Sequence, residues 1–368
     1  MLKQTYKLPA LPPKADFETV PVLKALATAN RALAELKGRA ATIPNQGILI
    51  DTLVLQEAKA SSEIESIVTT QDELFQADFS LDAAQSAAAK EVSRYRDSLK
   101  LGYEELRKTE GLISNNTLIE MFRVLKDRDD GFRKLPGTAL KNDQTGEIVY
   151  IPPQSAEEVV EHMTSLEKFI NDSDHIDIDP LIKMALIHHQ FESIHPFPDG
   201  NGRIGRILNV LYLVQTGLLD IPVLYLSRHI TRQKGDYYKL LQGVRDSGGS
   251  QKAWELWVLY ILEAVTSTSI ATLDLVEGMR EQMAGMKKKM RNDLPHLYSQ
   301  DLLNNLFRHP YTRIDFVMND LNITRQTAAK YLDQLCKAGF VKKQQAGRSN
   351  YYINTSLVTL FLSVSGGK

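Results

Sequence analysis

Residues 195–206 read HPFPDGNGRIGR, with one His, one Asp, three Gly, one Asn and two Arg in twelve positions. Within it, Gly200-Asn201-Gly202-Arg203-Ile204-Gly205 has the G-x-G-x-x-G spelling of a dinucleotide loop. That reading requires a strand before it, a helix after it, and an acidic residue about 20 positions on, at the end of a second strand. Here the stretch follows the helical run PLIKMALIHHQFESI and leads into ILNVLYLVQTGLL, which is helical again. Asp220 falls near the right distance but lies in a turn after Gly217-Leu218-Leu219, so no βαβ unit exists. A Walker loop would need Gly-Lys-Ser/Thr, and a kinase loop a β-hairpin with a separate catalytic Asp. The Rossmann spelling is therefore coincidental.

The local chemistry points elsewhere. One helix ends near His195, Pro196, Pro198 and Gly200 hold a tight loop, and a new helix begins near Gly202. The first amides of a helix have no intrahelical acceptor, so this start is an anion nest. Arg203 and Arg206, three apart, add two cationic forks, and Asn201 offers a side-chain donor. Asp199 supplies a hard oxygen ligand suited to Mg²⁺ bridging phosphates. His195 is the nearby group that titrates close to neutrality, which makes it the candidate general base. Phe197 reads as an anchor that buries the loop. The spacing of His188, Glu192 and His195 could serve zinc, but Pro196 disfavours helical geometry at His195 and takes that ring off the face. His188 and His189 are expected in the core or on the surface.

The chain has 368 residues, 43% hydrophobic and 24% charged, which suits two or three folded domains. Its single cysteine, Cys336, excludes an internal disulfide framework and suits a reducing compartment. No apolar run reaches the ~18 residues of a membrane span, and the N-terminus lacks an apolar h-region and a cleavage signal. The expectation is a cytoplasmic protein without a membrane partner. Net charge is −1, but residues 287–368 carry 13 Lys and Arg against 5 Asp and Glu. A basic tail behind an acidic body suits either a polyanion partner or a solvated lysine-rich face.

Helical periodicity dominates from VLKALATANRALAELKGRA onward, through ILIDTLVLQEAKASSEIESIV and a third helix from about Asp82 to Lys108. The exception is TALKNDQTGEIVYIPP, where Gln-Thr-Gly turns between two short strand-like pieces and Pro152-Pro153 stops the second. Ser155 with Glu158 forms a capping box. The expected fold class is mainly α: an N-terminal helical region (1–110), a helical core with a hairpin (111–290), and a C-terminal domain (291–368).

The motif His195-x-Phe197-x-Asp199-Gly200-Asn201-Gly202-Arg203-x-x-Arg206 resembles the signature of Fic-domain proteins, meeting every fixed position. The resemblance implies transfer of AMP from ATP to a Ser, Thr or Tyr hydroxyl of a target protein, although relatives also use other phosphate-containing donors. It implies that His195 deprotonates the target, Asp199 holds Mg²⁺, and the amides from Gly200 to Gly202 with Arg203 hold the α and β oxygens. Arg206 then reaches the γ-phosphate, and Gly205 belongs to the same nucleotide-binding stretch. The hairpin corresponds to a flap that aligns the target, with Ile148, Val149 and Tyr150 beside the nucleotide. Tyr237 is expected on the adenine, Tyr238 in the core, and Arg245 stands where the family pattern often has Asn.

ASSEIESI resembles the family's inhibitory motif, Ser/Thr-x-x-x-Glu-Gly/Asn, through Ser61 and Glu65, with Ser66 in place of Gly/Asn. The resemblance implies that Glu65 pairs with Arg206 and blocks the γ-phosphate. Residues 296–354 resemble a winged helix-turn-helix, with Thr324 capping a recognition helix. In a DNA reading, Thr324, Arg325, Gln326 and Lys330 face a major groove, and Lys342, Lys343 and Arg348 meet phosphates. The same fold serves equally as a protein-interaction or dimer module, and family habit suggests a homodimer. Two readings therefore stand: an autoinhibited adenylyltransferase, or a DNA-binding regulator whose Fic-like domain senses nucleotide.

Overall fold

A computed structural model describes residues 6–70, 86–142, 145–172, 177–346 and 349–365. The N-terminal part contributes α1 (Val20–Ala40), α2 (Gln46–Ile64), α3 (Ala87–Lys108) and α4 (Asn115–Lys126). The part of the expected third helix at 82–85 lies outside the described residues. A hairpin follows, β1 (Leu140–Lys141) paired antiparallel with β2 (Ile148–Tyr150), Leu140 opposite Tyr150. Then come α5 (Ala156–Asn171), α6 (Pro180–Ile194), α7 (Asn201–Gln215), α8 (Ser227–Arg232), α9 (Lys234–Asp246) and α10 (Gln251–Asp293). The C-terminal unit is α11 (Gln300–Arg308), β3 (Tyr311–Thr312), α12 (Ile314–Leu321), α13 (Arg325–Lys337), β4 (Lys342–Ala346), β5 (Ser349–Ile353) and α14 (Thr355–Ser365). Its strands form an antiparallel sheet in the order β3-β5-β4.

Helix starts follow from side-chain oxygens that accept orphan amides of the first turn. Asn45, Ser86, Ser114, Asp179, Ser250 and Thr324 each do so, and Ser155 with Glu158 completes the capping box. α6 and α7 pack at the centre, and from Leu181 to Ile194 every residue of α6 is buried. The polar members of that run need internal partners. His188 Nε2 lies 2.9 Å from the Tyr237 hydroxyl, and His189 lies edge-on to Trp254 with ring centres 4.6 Å apart. Both histidines are core residues, and burial, with Arg206 second, pushes His188 down to about 3.

α10 runs 43 residues without a break, straight through the lysine-rich stretch 287–291. It packs on α1, α6, α8 and α9 and on α11 and α14. An 18-residue window of it is apolar enough to cross a bilayer, against the sequence expectation, because residues such as Glu263 interrupt the run without making the helix polar. Of that window, 56% is buried inside the fold. Gly278 admits α14 to close range, since a Cβ there would lie 2.7 Å from Leu360 Cδ1. The C-terminal unit also docks on α2, where Arg308 Nε bonds Asp51 Oδ2 at 2.6 Å. The far end of that same helix carries Glu65.

Candidate active site

The signature loop bridges α6 and α7, and its shape is fixed from within. His195 is the C-cap of α6 in the left-handed region, φ 51°, its N–H closing on Phe191 O at 2.9 Å. A non-glycine residue there carries strain that the surroundings must hold. Arg133, absent from any sequence motif, supplies the hold: Nε donates to His195 O at 2.8 Å and its backbone N–H to Pro196 O at 2.8 Å. Another Arg133 nitrogen bonds Pro153 O, tying the end of the hairpin segment to the loop. Phe197 is the buried anchor, stacked on Phe122 with ring centres 4.4 Å apart.

Asn201 has a structural task in the loop beside the cleft it lines. Its side-chain oxygen accepts from Phe197 N and its Nδ2 donates to Phe197 O, both at 2.8 Å, so it locks the loop and spends one of its two side-chain N–H groups there. Gly200, at φ 75°, starts α7 and gives its N–H to Asp199 Oδ1 at 2.6 Å.

A cleft of about 1120 Å³ opens at this helix mouth, lined by His195, Asp199, Gly200, Gly202, Glu65 and residues of the hairpin and α9. Val149 is the β2 residue that lines it. The Ile148 side chain is exposed and not among the lining residues, while Tyr150 is buried and donates its hydroxyl to Ser193 O at 2.8 Å. The tyrosine pair on α9 is reversed from expectation. Tyr237 is buried on His188, whereas Tyr238, 45% exposed, lines the cleft. Helical spacing could not tell the two neighbours apart. Gly205 is also not in the cleft. A Cβ there would meet Glu192 Oε1 at 2.8 Å and Phe191 at 3.0 Å, so its role is the close packing of α7 on α6.

Arg203 and Arg206 are each 1% exposed and engaged rather than free. Glu65 Oε1 lies 3.0 Å from Arg206 Nη2, and Glu65 Oε2 lies 3.1 Å from Arg203 Nε. Arg206 also donates Nε to Ser61 Oγ at 2.8 Å and Nη2 to Ser61 O at 2.9 Å. Burial is the largest influence and opposes the Arg206 charge, but Glu65 together with Tyr237, Tyr95 and Tyr238 outweighs it and raises the guanidinium pKa. A Cβ at position 202 would meet Glu65 Oε1 at 2.8 Å, so the carboxylate lies directly on the backbone of the helix mouth. α2 ends at Glu65 in a Schellman turn, with Ile67 N bonding Ser62 O and Ser66 N bonding Glu63 O, both 3.0 Å. Ser66 stands at φ 63°, the place where the inhibitory motif has Gly or Asn.

Burial, then Arg245 and Arg133, depresses the His195 imidazole to about 3, so the ring is neutral at physiological pH. Burial raises Glu192, on the cleft floor, to about 7 against the pull of Arg206 and Arg245. Asp199 Oδ2 pairs with Lys126 Nζ at 2.7 Å. Burial works against its charge, but Lys126, Arg203 and the Gly200 amide hold the carboxyl below the usual range. Among the described residues no cluster of three His, Cys, Asp or Glu could hold a metal unaided. The Asp199 side chain remains 58% exposed at the anion nest, which fits Mg²⁺ taking its other ligands from phosphates and water.

Three family models match the chain: Fic/DOC family N-terminal over residues 23–104, Fic/DOC family over 112–213, and the C-terminal domain of SoFic-like protein adenylyltransferase over 282–357. A probable protein adenylyltransferase of Aquifex aeolicus is 48% identical over 54 residues, 15% of this chain and 17% of that protein. Protein adenylyltransferase fic-1 of Caenorhabditis elegans is 37% identical over 85 residues, 21% of this chain and again 17% of that protein. The match thus spans less than a fifth of either relative. A Fic family protein from Desulfovibrio desulfuricans shares the fold at TM-score 0.54 and 18% identity, covering 91% of this chain and 96% of that one. Fic-1 of C. elegans aligns at TM-score 0.52 and 20% identity over 71% of this chain and 74% of its own. With the signature loop, the helical core and the matched N-terminal region together, the chain belongs to the Fic/DOC family.

Proposed function

We propose that the protein is a protein adenylyltransferase held inactive by Glu65, transferring AMP from ATP to a Ser, Thr or Tyr hydroxyl of a target and of itself. The observation that carries this reading is an anion-binding helix mouth, Gly200 to Gly202, lining one cleft with a neutral imidazole, with Arg203 and Arg206 buried behind the Glu65 carboxylate that also lines it. In transfer, the target oxygen bonds to the α-phosphorus, the bond to the β-phosphate bridging oxygen breaks, and pyrophosphate leaves. Nδ1 of His195 is buried, so Nε2 is the nitrogen left to take the hydroxyl proton. Its depressed pKa leaves the lone pair free, and negative charge arriving with the nucleotide raises its basicity. Amides at Gly200 to Gly202 and Arg203 orient the α and β oxygens, while Arg206, once free of Glu65, meets the γ-phosphate. Asp199 would hold Mg²⁺, whose charge would offset that of the pyrophosphate as it leaves. Val149 and Tyr238 both line the cleft and are the side chains offered to the adenine.

Mass spectrometry after incubation with ATP and Mg²⁺ tests the reading, by the added mass of one AMP on the Glu65→Gly protein. His195→Ala in that background abolishes it; retained transfer removes the base assignment.

For the C-terminal unit we propose a winged helix-turn-helix that grips duplex DNA. Support comes from Thr324, Arg325, Gln326 and Lys330, exposed along the start of α13, beside exposed Lys342 and Lys343 on β4. Arg325 and Lys343 are paired with Asp315 and Asp333, so phosphates must compete for them, and Arg348 lies outside the described residues. Binding to random duplex at two salt concentrations decides; no binding at low salt refutes it.

A further inference from the structure

Two charged residues outside every motif reach the site from other helices. Lys126, the last residue of α4, places Nζ 2.7 Å from Asp199 Oδ2 and 3.3 Å from Glu91 Oε1. Glu91, in the first turns of α3, turns its other oxygen to Arg203 Nη1. The side chains are only 13% and 24% exposed. The Lys126 stem crosses the backbone of the loop, since a Cβ at Gly200 would lie 3.4 Å from Lys126 Cδ. A continuous chain of contacts therefore runs Asp199–Lys126–Glu91–Arg203, two carboxylates alternating with two cations.

We propose that Glu91 and Lys126 are positioning residues, a bridge that sets the Asp199 carboxylate in register with the Arg203 guanidinium. The inference rests on the nucleotide reading of the cleft: those two groups would grip the metal and the phosphates of one Mg²⁺–triphosphate, so their spacing fixes where the α-phosphorus lies. Glu91 is distinct from the Glu65 brake. Glu65 takes the Nε edge of Arg203 and lines the cleft, where incoming phosphate displaces it. Glu91 takes Nη1 and is not among the lining residues, so it stays when Glu65 leaves. The bridge is charge-balanced within itself and persists without ligand. Lys126 draws on one oxygen of Asp199 and orients it, as outer partners orient metal-binding carboxylates.

The test uses the full chain carrying Glu65→Gly, with ATP affinity measured by calorimetry with and without Mg²⁺ beside KM and kcat. Glu91→Gln and Lys126→Met should each weaken ATP binding in Mg²⁺ about tenfold, the scale of losing an outer-shell partner. They should also shrink the gain that Mg²⁺ confers, and raise KM more than they lower kcat. Lys126→Arg, which can still span Glu91 and Asp199, should retain near-parent affinity. Unchanged affinity in both variants reduces the bridge to a surface ion pair, and tighter binding makes Glu91 a second brake; either overturns the proposal. Should Glu91→Gln fail to fold, Lys126→Met decides alone. If the Glu65→Gly parent itself binds no ATP, the nucleotide reading falls and takes the bridge with it. If the parent binds and the variants match it, the bridge alone falls.

Discussion

Replacing Glu65 by Gly removes the one side chain that joins both buried arginines to the end of α2. Two charge-assisted contacts at 3.0 and 3.1 Å are lost. The hydrogen bond to Arg206 is worth about 1.5–3 kcal/mol, and a triphosphate must displace it together with the Arg203 ion pair to enter. Arg206 keeps its two bonds to Ser61, so the fork stays in place after the change. With about 3 kcal/mol of that obstruction relieved, AMP transfer rises about a hundredfold. The same substitution leaves Arg206 buried without its carboxylate, which costs the nucleotide-free protein about 3 kcal/mol. Rate and stability therefore move oppositely. Labelled-ATP transfer increases while Tm falls, and ATP with Mg²⁺ recovers Tm more in the variant than in the parent. Glu65→Gln, which keeps the shape and loses the charge, falls between. Equal transfer rates in parent and variant, with Tm unmoved, would refute the brake.

Ser66→Gly relieves left-handed strain of about 1 kcal/mol, partly offset by glycine's greater freedom when unfolded, so residual transfer falls about twofold with a small rise in Tm; a rise in transfer contradicts it. Gly202→Ala places a methyl where Glu65 Oε1 now rests, 2.8 Å away. It should free Glu65 yet still block phosphate approach, weakening ATP binding about tenfold or more even in the Glu65→Gly background, as calorimetry would show. Glu192→Gln tests the carboxyl raised to about 7. Between an unfolded pKa of about 4.5 and that value the native state holds the extra proton, so the parent loses stability as pH rises through the window. The variant lacks that loss and gains on the parent by up to about 3 kcal/mol by pH 7 and above, read from denaturant melts. Parallel pH profiles would refute the shift.

The loop was legible because its chemistry is contiguous: His195, Asp199, the glycines and both arginines sit within one turn-and-helix, and Ser61 with Glu65 share one helix face. Capping residues such as Ser155 and Thr324 were legible for the same reason, since each acts three residues away. Groups that arrive from distant helices carried no local signal. Arg133, Glu91 and Lys126 look like ordinary surface charges until α3, α4 and the loop converge. Glu57 is another, buried on α2 and accepting from Tyr95 and from the start of α8. Adjacent residues that differ only in rotation about a helix were equally hidden, as Tyr237 and Tyr238 show. Gly205 misled because a glycine needed for close helix packing is spelled like one needed for a ligand.

α10 has a consequence of scale. At 1.5 Å per residue its 43 residues make a rod about 65 Å long, braced by α1 and by α14. Whatever the far end of that rod grasps is carried at a set reach from the cleft, as a jig carries a workpiece. Hydroxyls that receive a nucleotide should therefore fall on an arc around the grasped point, with geometry rather than surrounding residues selecting among them.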